Sequence, residues 1–235
     1  MSRLTTALNT FMREIFKTAR RIRLLRLFHL KLKGFPNFRA ELGYIDIVSR
    51  RFDLIVKEIL EKYPKGLTKK ASLIKALIFD VDGVLTDGKI TYDDTGKELK
   101  SFNVKDGQII GHLKKAGIIV GAISGRESAT VAKRAAELKL DFCHQGIVDK
   151  VSVFLKLIEY HELKKREVAY VGDDINDLGI LRQAGLSACP ADAPAYIKKC
   201  VDMVTAVKGG HGVVRELADM VLASKGYFEK MFRNL

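Results

Sequence analysis

Asp80 and Asp82 stand two residues apart, directly after an apolar run that begins at Leu73. The run is long enough for one buried strand, and Gly83 then breaks its pattern. Because side chains alternate along a strand, the two carboxylates converge only if the chain curls out of the extended form. Two acids held so close repel each other unless a cation lies between them, and Mg²⁺ is the usual cation where a phosphate completes the shell.

Two later predicted strands also end in polar side chains. Residues 118–123 lead into Ser124 and Gly125, and residues 168–171 lead into an acidic cluster, Asp173, Asp174 and Asp177. A hydroxyl and backbone N–H groups at a helix start can hold phosphate oxygens. Residues four apart share one helical turn, so two of these acids can point the same way.

Lys150 lies at another predicted helix entrance, where its ammonium could face these acids. Each piece has a plainer alternative: an acidic turn after a core strand, a common Ser-Gly-Arg turn, a solvated lysine, or an aspartate that caps a helix. The order and spacing favour a site, because each group follows a predicted strand or opens a predicted helix. Carboxyl ends of parallel strands lie side by side on one edge of a sheet, where α/β proteins bind their ligands.

The elements that must position these groups alternate between strands and helices, which predicts a mostly parallel sheet covered on both faces. Residues 88–102 alternate around 93–96 and predict a β-hairpin. The other predicted elements are helices ending near 116, 138, 162 and 223, and strands at 118–123, near 142 and at 168–171.

Composition fits one α/β domain with an appendage: the chain has 235 residues, 47% of them hydrophobic. No apolar run reaches the roughly 18 residues that a membrane span needs, and we expect no secretory signal. Three cysteines without metal-ligand spacing favour a reducing cytoplasm, and the scattered histidines predict no zinc site.

The net charge of +13 belongs to the appendage. Residues 1–75 hold 18 Lys and Arg against 6 Asp and Glu, which leaves 23 and 22 of the totals of 41 and 28 for residues 76–235. Residues 4–33 predict a basic amphipathic helix, suited to an anionic membrane at the inner surface, to a protein partner, or to packing on the protein itself. No nucleic-acid motif is present.

A second helix is predicted over residues 45–59, followed by a linker at 65–70. The predicted domains are therefore a basic helical extension, residues 1–70, and a main domain, residues 71–235.

Residues 74–226 resemble the haloacid dehalogenase superfamily and, within it, the small capless 3-deoxy-D-manno-octulosonate 8-phosphate phosphatases. The resemblance rests on six stretches in the same order: 79–88, 102–107, 123–126, 145–150, 170–178 and 209–216. It implies a three-layer Rossmann-like parallel sheet with a β-hairpin in place of a cap. It does not extend to residues 1–70.

The resemblance also implies roles. Asp80 would be the nucleophile that forms an aspartyl-phosphate, and Asp82 the acid and base. Mg²⁺ would be held by the Asp80 carboxylate, the Asp82 main-chain carbonyl and Asp173. The remaining roles are to position the phosphoryl group (Ser124, Gly125 and Lys150) and to orient Lys150 and metal-bound water (Asp174 and Asp177).

The implied substrate is the phosphate of a 2-keto-3-deoxy sugar acid in surface-polysaccharide (lipopolysaccharide) synthesis, and the implied assembly is a homotetramer joined through the hairpin. Lys105 and Arg215 would meet the sugar. Lys105 and His211 replace residues that are commonly Arg in the family, so a nine-carbon sugar acid 9-phosphate is an alternative substrate. A non-catalytic tetramerising module is the alternative of another class.

Overall fold

The computed structural model describes residues 53–228 and residue 230. The compact unit that contains the predicted site spans Val56–Phe228. Residues 53–61 are helical, as predicted for the end of the second helix. The basic helix predicted at residues 4–33 lies outside the described residues.

Six parallel strands form the central sheet, in the order β5-β4-β1-β6-β7-β8. The strands are β1 (Ala76–Phe79), β4 (Ile119–Ile123), β5 (Phe142–His144), β6 (Val168–Val171), β7 (Leu186–Cys189) and β8 (Met203–Val204). A separate antiparallel pair, β2 (Thr91–Tyr92) and β3 (Glu98–Leu99), forms the predicted hairpin. The predicted α/β class with a parallel sheet is confirmed.

After the helical residues 53–61, the α-helices of the described part of the chain are α1 (Lys65–Ser72), α2 (Val104–Lys115), α3 (Ala129–Glu137), α4 (Lys150–Tyr160), α5 (Leu178–Leu181), α6 (Ala195–Lys198) and α7 (Val213–Ser224). The sequence sets several of their starts. Asn103 caps α2 by accepting from the Lys105 N–H at 2.9 Å, and Asp149 caps α4 by accepting from the Ser152 N–H at 3.0 Å. The second cap fixes where Lys150 leaves the backbone.

Strand β1 is buried on both faces, which holds the site rigidly at its end. All four of its residues are buried. Ala76 and Ile78 belong to a core cluster with Phe154 of α4 and Ile180 of α5. By alternation the other two residues of β1 point to the opposite face of the sheet.

The prediction of a linker at residues 65–70 is wrong, because Lys65–Ser72 form helix α1. Pro64 precedes its first turn, where a residue with fixed φ favours helix initiation. Ala71 is fully buried, and α1 packs against α7. The compact unit therefore begins before the predicted boundary at residue 70. Within the described part of the chain, every helix is too short or too polar to cross a bilayer.

Candidate active site

The site lies at the carboxyl end of the three middle strands. β1 pairs with β4 on one side and with β6 on the other, with Phe79 in register with Ala122 and Val171. Asp80 follows β1 directly, Ser124 follows β4, and Asp173 comes two residues after β6. The structure thus brings together the strand ends that the sequence predicted would meet.

The chain curls sharply after Asp80. The N–H groups of Val84, Leu85 and Thr86 all point to the Val81 carbonyl, at 3.3, 2.9 and 3.1 Å. Gly83 has φ +84°, and a Cβ there would overlap the Asp173 carboxylate. Glycine at this position therefore permits both the turn and the close approach of the acid.

An acidic trio forms the floor of the site. Asp80, Asp173 and Asp177 each offer an oxygen atom within 4.8 Å of the others. Asp80 and Asp177 are buried, and Asp173 is partly buried. Three carboxylates at this spacing can hold a divalent cation through oxygen ligands.

The hydrogen bonds divide the trio into two kinds of acid. Asp177 Oδ1 accepts from Lys150 Nζ at 2.9 Å and from the Tyr170 hydroxyl at 2.6 Å, and its Oδ2 accepts from the Asp173 N–H at 3.1 Å. Asp80 Oδ1 is buried without a hydrogen-bond partner among the described residues, although Lys150 Nζ lies 3.0 Å away outside hydrogen-bonding angles. Asp177 therefore accepts hydrogen bonds from the protein through both of its oxygens, whereas Asp80 Oδ1 accepts none among the described residues.

Lys150 is the buried cation of the site. It opens α4, its side chain is 3% exposed, and it lies between Asp80 and Asp177. A Cβ at Gly125 would lie 3.9 Å from Lys150 Cε, so the turn after β4 borders this lysine. Ser124 in that turn is buried, and its Oγ accepts from the Arg126 N–H at 3.3 Å. Ser124, Gly125 and Lys150 therefore share one wall of the site.

Burial and mutual repulsion perturb the acids. Burial raises the pKa of Asp173 to about 7, and the charges of Asp80 and Asp177 add to the effect. Burial also raises the pKa of Asp80, with Asp177 adding to the rise and Lys150 opposing it. Burial acts to lower the pKa of Lys150, but the two carboxylates beside it outweigh that effect and raise it. A divalent cation would relieve the conflict between the acids.

Asp82 is not one of the three acids of the trio. Its carboxylate forms an ion pair with Lys100, a residue that follows strand β3 of the hairpin. Sequence reasoning missed Lys100 and also the phenol of Tyr170. The alternation of Glu98 and Lys100 on one strand face is the signal that could have indicated a paired lysine.

Asp174 does not contact Lys150, contrary to the predicted role. Its carboxylate accepts from the Ile175 N–H at 2.7 Å and from the Tyr196 hydroxyl at 3.1 Å. It caps the 3₁₀ turn Ile175–Asp177, the plainer alternative for an aspartate at this point. Of the two acids predicted to orient Lys150, only Asp177 touches it.

The predicted sugar contacts lie apart from the acidic trio. Lys105 is exposed and lines an open groove of about 720 Å³, together with Asp87, Asn103 and His211. The Arg215 side chain is held on its own helix, with Nε 2.8 Å from both carboxylate oxygens of Asp219. Neither residue has a hydrogen bond to the trio among the described residues.

The glycine-rich segment before α7 packs on the loop that follows β1. The Gly210 N–H donates to the Val84 carbonyl at 3.0 Å, and Asn103 Nδ2 donates to the Gly210 carbonyl at 3.3 Å. A Cβ at Gly209 would overlap the backbone of Gly83. This contact joins the floor of the site to the groove.

Comparison with known proteins agrees with this geometry. A family model for haloacid dehalogenase-like hydrolases matches residues 144–217. The chain is 40% identical over 160 residues to the 3-deoxy-D-manno-octulosonate 8-phosphate phosphatase of Haemophilus influenzae, a match that covers 68% of this chain and 89% of the relative.

Solved structures give the same result. The phosphatase of that name from Moraxella catarrhalis, in complex with magnesium, phosphate and KDO, superposes with a TM-score of 0.71 at 35% identity, covering 73% of this chain and 99% of that chain. The one from Yersinia pestis has a TM-score of 0.69 at 38% identity, covering 70% and 89%.

Proposed function

The chain belongs to the haloacid dehalogenase superfamily and, within it, to the 3-deoxy-D-manno-octulosonate 8-phosphate phosphatases, and on that premise we propose that it hydrolyses this eight-carbon sugar acid phosphate. The phosphatase activity follows from the family. The observation that carries the assignment to this chain is the buried, unbonded Asp80 oxygen beside Lys150 and Asp173. It leaves a nucleophile, a cation and a metal-binding acid facing one position.

Mg²⁺ fits the donor set, because the unbonded oxygen of Asp80 and the partly buried carboxylate of Asp173 are hard ligands whose repulsion needs a counter-charge. Asp80, Asp173 and the main-chain carbonyl of Asp82 would hold the ion. When bound, it supplies positive charge to the transferring phosphoryl group. The magnesium in the Moraxella catarrhalis phosphatase supports this choice.

In the first step, an Asp80 carboxylate oxygen attacks phosphorus and forms an aspartyl-phosphate. The bond between phosphorus and the sugar oxygen breaks, and its electron pair goes to that oxygen. Asp82 gives a proton to the same oxygen, so the sugar leaves as a neutral alcohol. Ser124 and Lys150 hold the phosphoryl oxygens during the transfer.

In the second step, Asp82 is a carboxylate and takes a proton from water as the water oxygen attacks phosphorus. The Asp80–phosphorus bond breaks, which restores the Asp80 carboxylate and releases inorganic phosphate. Asp177 keeps Lys150 in place through both steps, because it accepts a hydrogen bond from that ammonium beside Asp80.

The test is phosphate release from a panel of sugar acid phosphates, with and without Mg²⁺. We expect Mg²⁺-dependent turnover that favours the eight-carbon substrate. Preference for a nine-carbon acid 9-phosphate would leave the proposed chemistry intact and change the proposed substrate. This alternative is included because Lys105 stands where the family commonly has arginine. Absence of turnover on every member would overturn the proposal.

We also propose that the protein is a cytoplasmic homotetramer whose basic segment, residues 4–33, meets an anionic membrane surface or a protein partner. The charge of the segment supports an anionic surface. Light scattering tests the assembly, and a monomer mass would contradict it. Co-sedimentation with anionic vesicles tests the segment, and equal pelleting of the full chain and an Arg20→Gln, Arg21→Gln, Arg23→Gln variant would contradict membrane contact.

A further inference from the structure

Lys100 is a buried lysine that none of the steps above uses. It follows β3 at the base of the hairpin, and its side chain is 1% exposed. Its ammonium pairs with Asp82 Oδ1, and Glu98 Oε1 lies 3.4 Å from it. Burying an ammonium is costly unless opposite charges surround it, so the two carboxylates fix where this group can lie.

The hairpin that carries Lys100 is itself tied to the phosphate-binding turn. Glu98 Oε1 accepts from Arg126 Nη2 at 2.7 Å, and Arg126 directly follows Ser124 and Gly125. The Thr130 hydroxyl of α3 lies 3.5 Å from the Glu98 carbonyl. The charges alternate along the row Asp82, Lys100, Glu98 and Arg126. This row joins the loop after β1 to the turn after β4 by way of the hairpin.

The ion pair with Lys100 fixes the orientation of the Asp82 side chain. The Asp82 side chain is 22% exposed, so packing alone does not fix its rotamer, whereas the lysine beside it is almost fully enclosed. An ion pair with an immobile partner removes that freedom. Positioning of a proton donor matters because misplacement by about 1 Å can cost on the order of 10²-fold in rate.

We infer that Lys100 is a positioning residue for the acid and base of the reaction, and that through it the hairpin base controls proton transfer to the leaving group; this inference rests on the proposed function. Lys100 donates a hydrogen bond to Asp82 Oδ1, which leaves Oδ2 to carry the proton to the sugar oxygen as the phosphorus–oxygen bond breaks. The carboxylate that remains after the transfer lies against the ammonium, which stabilises the new negative charge. Among the described residues, Lys100 forms ion pairs with Asp82 and Glu98 and none with Asp80.

The test compares two substrates that differ in their need for a proton. A sugar alkoxide leaves only when protonated, whereas p-nitrophenolate leaves without a proton. We expect Lys100→Met to lower kcat/KM for the sugar acid phosphate about 10²-fold, within the range for loss of general acid catalysis. The value for p-nitrophenyl phosphate should change less than about threefold. kcat/KM is the right quantity because it reports only the steps through phosphoryl transfer.

The matched variants separate positioning from a structural role. Asp82→Asn should show the same selective loss, and Lys97→Met, at an exposed lysine of the same hairpin, should match the wild type on both substrates. Lys100→Arg, which keeps a cation, should recover part of the lost activity. Equal losses on both substrates, or no loss on the sugar phosphate, would overturn the inference.

Thermal unfolding checks that each variant is folded. If Lys100→Met does not fold, Glu98→Gln serves instead, because it loosens the other partner of Lys100 and should show a smaller loss with the same selectivity. Failure of the proposed function has a different signature. It would appear as a wild-type enzyme without Mg²⁺-dependent turnover of the sugar phosphate, whatever the variants do.

Discussion

The acidic trio and the groove beside it are built in different ways. Asp80, Asp177 and Lys150 are buried, Lys150 forms ion pairs with both acids, and strand ends or a capped helix hold all three. The groove lined by Lys105 and His211 is open, and its walls come from loops and from the first turn of α2. Under the proposed function, chemistry common to phosphate esters lies at the edge of the sheet, and recognition of the rest of the substrate falls to the groove.

This difference predicts that substitutions at the sheet edge affect all phosphate esters alike, whereas substitutions in the groove affect only sugar acids. Asp80→Asn should cause the largest loss of activity. The substitution keeps the shape of the side chain but removes the nucleophile, so turnover of the sugar phosphate and of p-nitrophenyl phosphate should both fall by about 10⁴-fold or more. Steady-state phosphate release measures the loss. Asp94→Asn, an exposed turn residue, is the control, and comparable activity in both variants would refute the nucleophile assignment.

Lys150→Met should cause the next largest loss of activity. The variant loses the ammonium that faces the phosphoryl oxygens, and removal of one such donor costs about 10² to 10³ in rate. Both substrates should suffer equally, because the phosphoryl group is common to them. The variant should also unfold at lower temperature in Mg²⁺-free buffer, since two buried acids lose their partner. A defect confined to the sugar phosphate would contradict this role and would indicate that Lys150 recognises the sugar, as the groove residues are proposed to do.

The affinity of the acidic trio for Mg²⁺ should depend on pH. The raised pKa values of Asp80 and of Asp173, the latter about 7, mean that protons compete with the ion below neutrality. We expect the affinity for Mg²⁺ to rise roughly tenfold or more from pH 6 to pH 8 and to level off above it. Isothermal titration calorimetry in buffers of different ionisation enthalpy would also reveal the released protons. An affinity independent of pH, without proton release, would contradict the perturbed acids.

Lys105→Ala should have the smallest effect. An exposed charge contributes about 0.5 to 1 kcal/mol, so KM for the sugar acid phosphate should rise roughly two- to fivefold with kcat unchanged. p-Nitrophenyl phosphate should be unaffected, because it lacks the sugar acid. An equal change for both substrates would contradict the proposal that the groove recognises the sugar acid and the sheet edge acts on the phosphoryl group.

The same comparison explains what could be predicted from the sequence. Strand periodicity located β1, β4 and β6, and parallel strands necessarily place their carboxyl ends together, so the meeting of Asp80, Ser124 and Asp173 followed from pattern alone. The register Phe79 to Ala122 and Val171 confirms it. Family resemblance then supplied the roles.

The sequence-based predictions failed where contacts between distant parts of the chain determine the structure. Helix α1 is short and polar, with Ala71 as its buried residue, and packing against α7 is what stabilises it. Asp174 and Asp177 are the same residue type, three apart, and only the local turn determines that one caps a helix while the other bonds Lys150. Lys100 is one of many lysines, and only the folded hairpin brings it to Asp82.

The central claim is that Asp80 becomes covalently phosphorylated. The direct measurement is to quench the enzyme during turnover of the sugar acid phosphate, reduce it with borohydride, and map the products by mass spectrometry. An aspartyl-phosphate is reduced to homoserine, so the account predicts homoserine at position 80 in the wild type and none in Asp80→Asn. Homoserine at position 82, or at no aspartate in an enzyme that turns over, would contradict it.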